Sequence, residues 1–126
     1  MISDIGIFTT DFGVTFGHFT CFDIIFYNPS MIVLRSEITD IILSLMWFSQ
    51  LPFLTAVQIQ QNWAYANNVN LLAAGANNPS VGNTGSGIYA GNQGAVTALM
   101  SSKNQTLVLM QYKSTSFNIF NYLHTL

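Results

Sequence analysis

The stretch between Asp40 and Lys103 contains no Asp, Glu, Lys or Arg, and this gap constrains the fold more than any other feature of the chain. Only 6% of the 126 residues are charged, against about 25% in typical soluble domains. A free-standing soluble domain needs charged groups on its surface to stay in solution. The sequence therefore indicates a membrane protein, a core segment of a larger protein, or a subunit buried in an assembly.

The most apolar window, residues 41–57, tests the membrane interpretation. It is about the shortest length that spans a bilayer as a helix. Ser49, Gln50 and Pro52 interrupt it, and no Lys or Arg brackets either end. A buried strand, a break and a helix explain it better than a membrane span. The N-terminus has no basic segment followed by a long apolar core, so we expect no secretory signal in this chain.

The composition also excludes several classes of partner. The three basic residues, Arg35, Lys103 and Lys113, are too few for a phosphate-binding patch, so we expect no binding to nucleic acid. The single cysteine excludes an internal disulfide and a zinc site made of several cysteines. We expect no metal and no cofactor.

Strand patterns recur along the chain. The first alternates apolar with small or polar residues, and later ones are continuously apolar, as in strands covered on both faces. A Gly-Asn-Gln-Gly turn at residues 91–94 predicts a hairpin. The predicted strands are 12–19, 40–46, 69–74, 88–90, 95–98 and 106–111, with a glycine-rich loop at 75–87.

Two helices are predicted between these strands. The first spans 29–36, with Asn28 as N-cap and Pro29 at the first helical position. The second spans 52–67, opens at Pro52 and ends at Asn67-Asn68. Its apolar face is predicted from the spacing of Ala56, Ile59, Trp63 and Ala66. Strands that alternate with helices before a hairpin indicate an α/β layered domain.

Cys21 lies at the end of the first predicted strand, facing a tight turn. A cysteine on such an elbow is aimed outward as a nucleophile, and the next backbone N–H, that of Phe22, is free to stabilise an oxyanion. A lone cysteine in an apolar segment is also common as a small buried hydrophobe. Taken alone, the cysteine leaves both interpretations open.

Three longer stretches narrow the choice. Residues 16–29 read FGHFTCFDIIFYNP, residues 46–75 read MWFSQLPFLTAVQIQQNWAYANNVNLLAAG, and residues 82–94 read GNTGSGIYAGNQG. In this order and spacing they resemble the carbon–nitrogen hydrolase (nitrilase) superfamily, and within it the biotinidase and vanin (pantetheinase) branch, including insect vanin-like proteins. The resemblance covers about residues 12–108.

The resemblance implies an α-β-β-α sandwich and a Glu-Lys-Cys catalytic set that cleaves a linear amide, such as that of pantetheine or biotin conjugates, through a thioester. It also implies an extracellular or membrane-anchored parent family that often self-associates, so a homo-oligomer is an open expectation. In the family, Glu and Lys precede the cysteine. Here only Asp4 and Asp11 are carboxylates before Cys21, and no lysine precedes it. Only Cys21 and the Phe22 N–H therefore carry over.

We accordingly expect residues 1–113 to be the C-terminal portion of a hydrolase domain, a partial α-β-β-α sandwich, and residues 114–126 to be a tail whose origin the sequence leaves open. Trp47 is a candidate to line the acyl pocket, with core packing as the alternative. Asp23 is expected to accept hydrogen bonds from nearby backbone N–H groups. His18 should lie on the opposite face from Cys21, so we expect no Cys-His dyad between them.

Three functions remain open at this point. The first is an amidohydrolase domain, or a piece of one. The second is an inactive truncated relative or pseudoenzyme that acts through a partner chain, which the absence of a matching Glu and Lys favours. The third is a small membrane protein.

Overall fold

A mixed six-stranded sheet forms the centre of the structure, a computed structural model that describes residues 5–50 and 54–100. In chain order the strands are β1 (Ile7–Thr9), β2 (Thr15–Thr20), β3 (Asp40–Leu45), β4 (Ser49–Gln50), β5 (Leu54–Thr55), β6 (Asn70–Gly75), β7 (Ser86–Ala90) and β8 (Ala95–Leu99). Within the sheet, β2, β3 and β6 run parallel to one another, and the outer pairs are antiparallel. The short strands β4 and β5 pair separately.

The helical elements lie between these strands. The α-helices are α1 (Ile32–Leu34) and α2 (Ala56–Asn67), and α2 connects the part of the chain after β3 to β6. Short 3₁₀ helices span Cys21–Ile25, Pro79–Val81 and Gly91–Gln93. The α/β class predicted from the sequence is confirmed.

One face of the sheet is covered and carries the core. The pairing places Gly17, Ile41, Leu71 and Tyr89 in one row across four strands, and all four are buried. Gly17 is needed in this row because a Cβ there would overlap the Val33 side chain of α1. Helix α2 covers the other side of this core.

Trp63 of α2 illustrates the packing. Its ring meets Phe19 of β2 edge to face, with the ring centroids 5.2 Å apart. Edge-to-face pairs of this kind add about 1 kcal/mol to the burial of their area. The contact joins the helix to the strand that leads into Cys21.

The opposite face of the sheet is more open among the described residues. Ile42 and Leu72, which are paired neighbours on β3 and β6, are only half-buried there, and His18 is exposed beside them. Successive residues of a strand point to opposite faces. Leu71 and Leu72 are therefore neighbours in the chain with different surroundings.

The predicted strands agree closely with the observed ones. The run 40–46 is found as β3, the run 69–74 as β6, and the hairpin with its turn at 91–94 as β7 and β8. The first strand begins later than predicted, because Thr10 and Val14 close a turn, with the Thr10 N–H donating to the Val14 carbonyl at 2.9 Å. The predicted strand 106–111 and the tail lie outside the described residues.

The first helix differs from the prediction. Regular α-helix is confined to Ile32–Leu34, after a wider helical turn at Tyr27–Met31 in which Asn28 is extended (φ −114°, ψ 119°). The Ser30 hydroxyl donates to the Phe26 carbonyl at 2.5 Å and holds this turn. The helix stops before the predicted end because the N–H groups of residues 35–37 donate to carbonyls three residues back, which makes a tighter turn. Glu37 then adopts a left-handed conformation (φ 60°).

Helix α2 ends as predicted, because Asn68 adopts the left-handed conformation (φ 51°) that closes many helices. It begins at Ala56, after β5, and Pro52 lies outside the described residues. The predicted apolar face is partly wrong, since Ala66 is exposed and Gln60 is buried. None of the described helices is long and apolar enough to cross a bilayer.

The two faces of the sheet predict different costs for a matched pair of substitutions. Leu71→Ala should lower the free energy of unfolding of the chain by about 2–5 kcal/mol, because it opens a cavity in the covered core. Leu72→Ala should cost about 1 kcal/mol or less, because its side chain is only half-buried. Urea unfolding of both variants measures the difference. Equal losses would contradict the one-sided core.

Candidate functional site

The site is built on the point where β2 ends. Thr20 is the last residue of the strand, and Cys21 begins the 3₁₀ helix Cys21–Ile25. Cys21 has φ 53°, in the left-handed region that L-residues other than Asn and Asp rarely adopt. The chain therefore makes a sharp strand-to-helix turn with the thiol at its corner.

Asp23 holds this turn. Its Oδ2 accepts a hydrogen bond from the Thr20 N–H at 3.1 Å, and its carbonyl accepts one from the Phe26 N–H at 3.1 Å. The first bond satisfies a backbone donor at the start of the helix, where intrahelical acceptors are lacking. The prediction that Asp23 accepts hydrogen bonds from neighbouring backbone N–H groups is confirmed.

The Cys21 thiol is half-buried and lies against the core. Its Sγ is 3.5 Å from the Met46 carbonyl oxygen, to which it donates. Met46 follows directly after β3, and β2 and β3 are parallel, so their carboxyl ends meet at the same edge of the sheet. In open α/β sheets, ligands bind outside the carboxyl ends of the strands.

Phe22 and Trp47 stack next to the thiol, with ring centroids 4.9 Å apart and planes inclined by 22°. Phe22 is 41% exposed, whereas Trp47 is 2% exposed and belongs to the core. Core packing, the alternative for Trp47, is therefore observed, and a role in an acyl pocket stays a prediction. The Phe22 N–H lies in the first helical turn, where backbone donors have no intrahelical acceptor; its role as oxyanion donor also stays a prediction.

His18 is not brought to Cys21. It is exposed on the open face of the sheet, where its ring meets Phe8 edge to face at 6.5 Å between centroids. Cys21 instead packs against the covered core. This agrees with the prediction that the two residues do not form a dyad.

A buried polar group near this edge was missed by the sequence analysis. The Tyr89 hydroxyl donates to Gln60 Oε1 at 2.7 Å, and Gln60 Nε2 donates to the Gly85 carbonyl at 3.2 Å. The available signal was a Gln four residues after Ala56, on the buried face of α2, together with a Tyr in an apolar strand. Periodicity alone assigns a Gln to solvent.

The loop before β7 packs along the same edge. The Thr84 N–H donates to the Trp47 carbonyl at 3.2 Å, and the Ala76 N–H donates to the Leu45 carbonyl at 2.8 Å. The Ser86 hydroxyl accepts from the Gly75 N–H at 2.9 Å. The glycine-rich loop is thus attached near one end to the last residue of β3 and near the other to Trp47, which follows β3.

Within residues 5–50 and 54–100, no three His, Cys, Asp or Glu side chains come together in a group that could hold a metal ion.

Comparison with known proteins identifies relatives of the chain. Vanin-like protein 1 of Drosophila melanogaster is 65% identical over 94 residues, which are 74% of this chain and 17% of that protein. Bovine biotinidase is 48% identical over 84 residues, 66% of this chain and 16% of that protein. Human pantetheine hydrolase VNN2 is 46% identical over 86 residues, 68% of this chain and 16% of that protein.

The chain belongs to the vanin and biotinidase branch. The resemblance read from the sequence is thereby confirmed. No protein-family model matches the chain. The chain spans about a fifth or less of the length of these relatives: 17% of vanin-like protein 1, 21% of vanin-like protein 2 and 19% of vanin-like protein 3 of Drosophila melanogaster.

The left-handed backbone at Cys21 predicts an unusual order of stabilities. Cys21→Gly should be more stable than Cys21→Ala by about 1 kcal/mol, because the left-handed conformation costs an L-residue roughly 1–2 kcal/mol and glycine's extra chain entropy offsets only part of this. Urea unfolding of the two variants measures the difference.

Thr20 provides the matched control, since it is extended (φ −123°). There, glycine should be less stable than alanine by roughly 0.5–1 kcal/mol. If Cys21→Ala unfolds with a free energy equal to or larger than that of Cys21→Gly, the strained turn is contradicted.

Proposed function

We propose that this chain supplies the nucleophile of an amidohydrolase, with Cys21 attacking the carbonyl carbon of a linear amide. The observation that carries the proposal is the left-handed turn at Cys21 (φ 53°), at the carboxyl end of a parallel strand, in a chain whose relatives are named biotinidase and pantetheine hydrolase. Family membership supplies the reaction class, and the turn supplies a place for the thiol.

The chemistry proceeds in two halves. A base takes the thiol proton of Cys21, and the sulfur forms a bond to the amide carbon, which gives a tetrahedral oxyanion that the Phe22 N–H stabilises. The base then gives this proton to the nitrogen as the C–N bond breaks. The amine departs, and the acyl group remains on Cys21 as a thioester. Water, activated by the same base, breaks the C–S bond and releases the acid and the thiol.

The turn itself does not supply two groups of this scheme, the base and the cation that stabilises the oxyanion. A free thiol with a pKa of about 8.5 is mostly protonated at neutral pH and needs a base or a cation nearby. The Asp23 carboxylate already accepts from Thr20, and the Arg35 guanidinium lies over the Tyr27 ring, 5.1 Å from its centroid. We therefore assign the role of base to a Glu and the role of the cation that stabilises the oxyanion to a Lys, as the family resemblance implies.

The open face of the sheet supports an α-β-β-α sandwich. Ile42 and Leu72 are apolar and only half-buried at its centre. A second sheet packed on this face, with helices outside both, would bury them. Residues 1–113 would then form the C-terminal portion of one hydrolase domain.

For the substrate we propose a small linear amide of the pantetheine or biotin-conjugate class, cleaved outside the cell or at the cell surface. The names biotinidase and pantetheine hydrolase support this class. Self-association of the sandwich is a further expectation of the same proposal.

A non-catalytic relative is the second candidate. The observation that favours it lies among the described residues near Cys21, where the Asp23 carboxylate accepts from the Thr20 N–H and the Arg35 guanidinium lies over the Tyr27 ring. Such a chain would act through a partner rather than by turnover. By itself, the 126-residue chain is expected to hydrolyse neither pantetheine nor biotin amides.

A chimera separates the two candidates. Residues 12–108 of this chain replace the matching segment of Drosophila vanin-like protein 1, and hydrolysis of pantetheine and of a biotin amide is measured. The amidohydrolase proposal expects turnover by the chimera and a loss of at least about a thousandfold on Cys21→Ser, the scale seen when a nucleophile is removed. Asn62→Ala, on the exposed side of α2, is the matched control and should leave turnover unchanged.

Two outcomes would count against the proposal. Turnover that survives Cys21→Ser would remove Cys21 as the nucleophile. A folded chimera that hydrolyses neither substrate would favour the non-catalytic relative.

A further inference from the structure

Gln60 sits in an unusual place for an amide side chain. It lies on the inner side of α2 and is 1% exposed. Burial of an amide that makes no hydrogen bonds is strongly unfavourable in an apolar medium. Gln60 avoids this cost because both ends of its amide are paired, one with β7 and one with the loop before it.

The orientation of this amide is fixed by its partners. The Gly85 carbonyl can only accept, so the NH₂ end of Gln60 must face it, at 3.2 Å. The Oε1 end then accepts from the Tyr89 hydroxyl at 2.7 Å. Burial raises the pKa of the Tyr89 hydroxyl above its ordinary value, so the hydroxyl keeps its proton and remains a donor. No alternative orientation satisfies all three groups.

Gly85 is held closely against the start of α2. It adopts φ +118°, and a Cβ at this position would lie 2.5 Å from the Cβ of Ala56. Only glycine therefore allows the loop to approach the helix closely enough for the Gln60 bond. The position of the Gly85 carbonyl is set by this contact together with the Gln60 amide.

Contacts made by the loop link Gly85 to the Cys21 thiol. Thr84, next to Gly85, donates its N–H to the Trp47 carbonyl at 3.2 Å. Trp47 follows Met46, whose carbonyl accepts the Cys21 thiol at 3.5 Å, and the Trp47 ring stacks on Phe22. A continuous set of contacts thus runs from the Gln60 amide to both groups proposed to act on the amide carbonyl.

We propose that Gln60 is a positioning residue for Cys21, which holds the Trp47 main chain in place through Gly85 and Thr84. The inference rests on the proposed function in one respect, that Cys21 is the working thiol. It gives a role to the Gly-Ser-Gly-Ile-Tyr-Ala stretch at residues 85–90, whose first glycine and tyrosine are the two partners of the Gln60 side chain.

A purely structural role for Gln60 would have a different signature. An amide that only fastens α2 to the sheet would, when removed, lower the stability of the whole fold uniformly. Removal of a positioning residue would instead loosen the Thr84–Trp47 contact and the surroundings of the Cys21 thiol more than it loosens the core. The Leu71 amide, in the central strand β6, serves as the internal reference for the core.

The experiment compares the 126-residue chain with Gln60→Leu, Tyr89→Phe and, as matched control, Gln61→Leu, whose side chain is exposed. Amide hydrogen exchange is measured at Thr84 and Leu71 by NMR, and the rate of Cys21 alkylation by iodoacetamide is measured by mass spectrometry. Neither readout requires turnover, so a failure of the proposed hydrolase activity does not affect it.

For Gln60→Leu we expect Thr84 exchange, relative to Leu71, to rise roughly fivefold to tenfold, the equivalent of one lost hydrogen bond. Cys21 alkylation should rise by a similar factor. Tyr89→Phe keeps the bond to Gly85 and should give smaller changes in the same direction, roughly twofold to threefold. Gln61→Leu should change neither.

The inference would be overturned if Gln60→Leu speeds amide exchange equally at Thr84 and Leu71 and speeds Cys21 alkylation by no more than that factor. Gln60 would then have a structural role. If Gln60→Leu does not fold, Tyr89→Phe decides: a change confined to Thr84 and Cys21 supports the inference, and no such change overturns it. An effect of Gln61→Leu equal to that of Gln60→Leu would also overturn it.

Discussion

The parallel alignment of β2, β3 and β6 is the constraint on which the rest of the structure depends. Parallel strands end at the same edge of a sheet, so the residues that follow them become neighbours although they are far apart in the chain. Cys21 follows β2, Met46 and Trp47 follow β3, and the glycine-rich loop follows β6. The thiol contact, the aromatic stack and the loop contacts all form at this one edge.

Side-chain size decides how closely the elements at that edge approach. Glycine at position 17 admits Val33 of α1 to the sheet, and glycine at position 85 admits Ala56 of α2 to the loop. Aromatic rings also meet at this edge, where Trp47 contacts both Phe22 and Phe48. The charge-poor sequence suits this arrangement, because most of these positions contact protein rather than water.

Much of the sheet could be predicted from the sequence, and much of the site could not. The continuous apolar runs at β3 and β6 and the glycine-flanked turn of the last hairpin have local signals that the tertiary structure does not override. The short strand β1 has no such signal, because three exposed residues pair with β2 only once β2 is in place. The wider turn at Tyr27–Met31 likewise depends on the Ser30 side chain, which a capping pattern does not include.

The position of Cys21 could be predicted, but its surroundings could not. A strand ending in a cysteine and followed by Asp23 indicated a turn held by a carboxylate. Gln60 was not among the residues predicted to form the buried face of α2, because a buried amide is permitted only by partners 25 and 29 residues away. Pairing at that separation leaves no local trace in the sequence.

The order of the strands in the sheet has a consequence for folding. The sheet order is β1, β2, β3, β6, β7, β8, so each strand lies beside the one that precedes it within that sheet along the chain. A sheet of this kind can grow by adding each new strand to one edge as the chain is synthesised, without inserting a strand between two that are already paired. The parallel pairings nevertheless join distant residues, 24 positions apart for Gly17 with Ile41 and 30 for Ile41 with Leu71. Each therefore carries a loop-closure cost that the final hairpin does not, and the parallel core is the slow step of assembly.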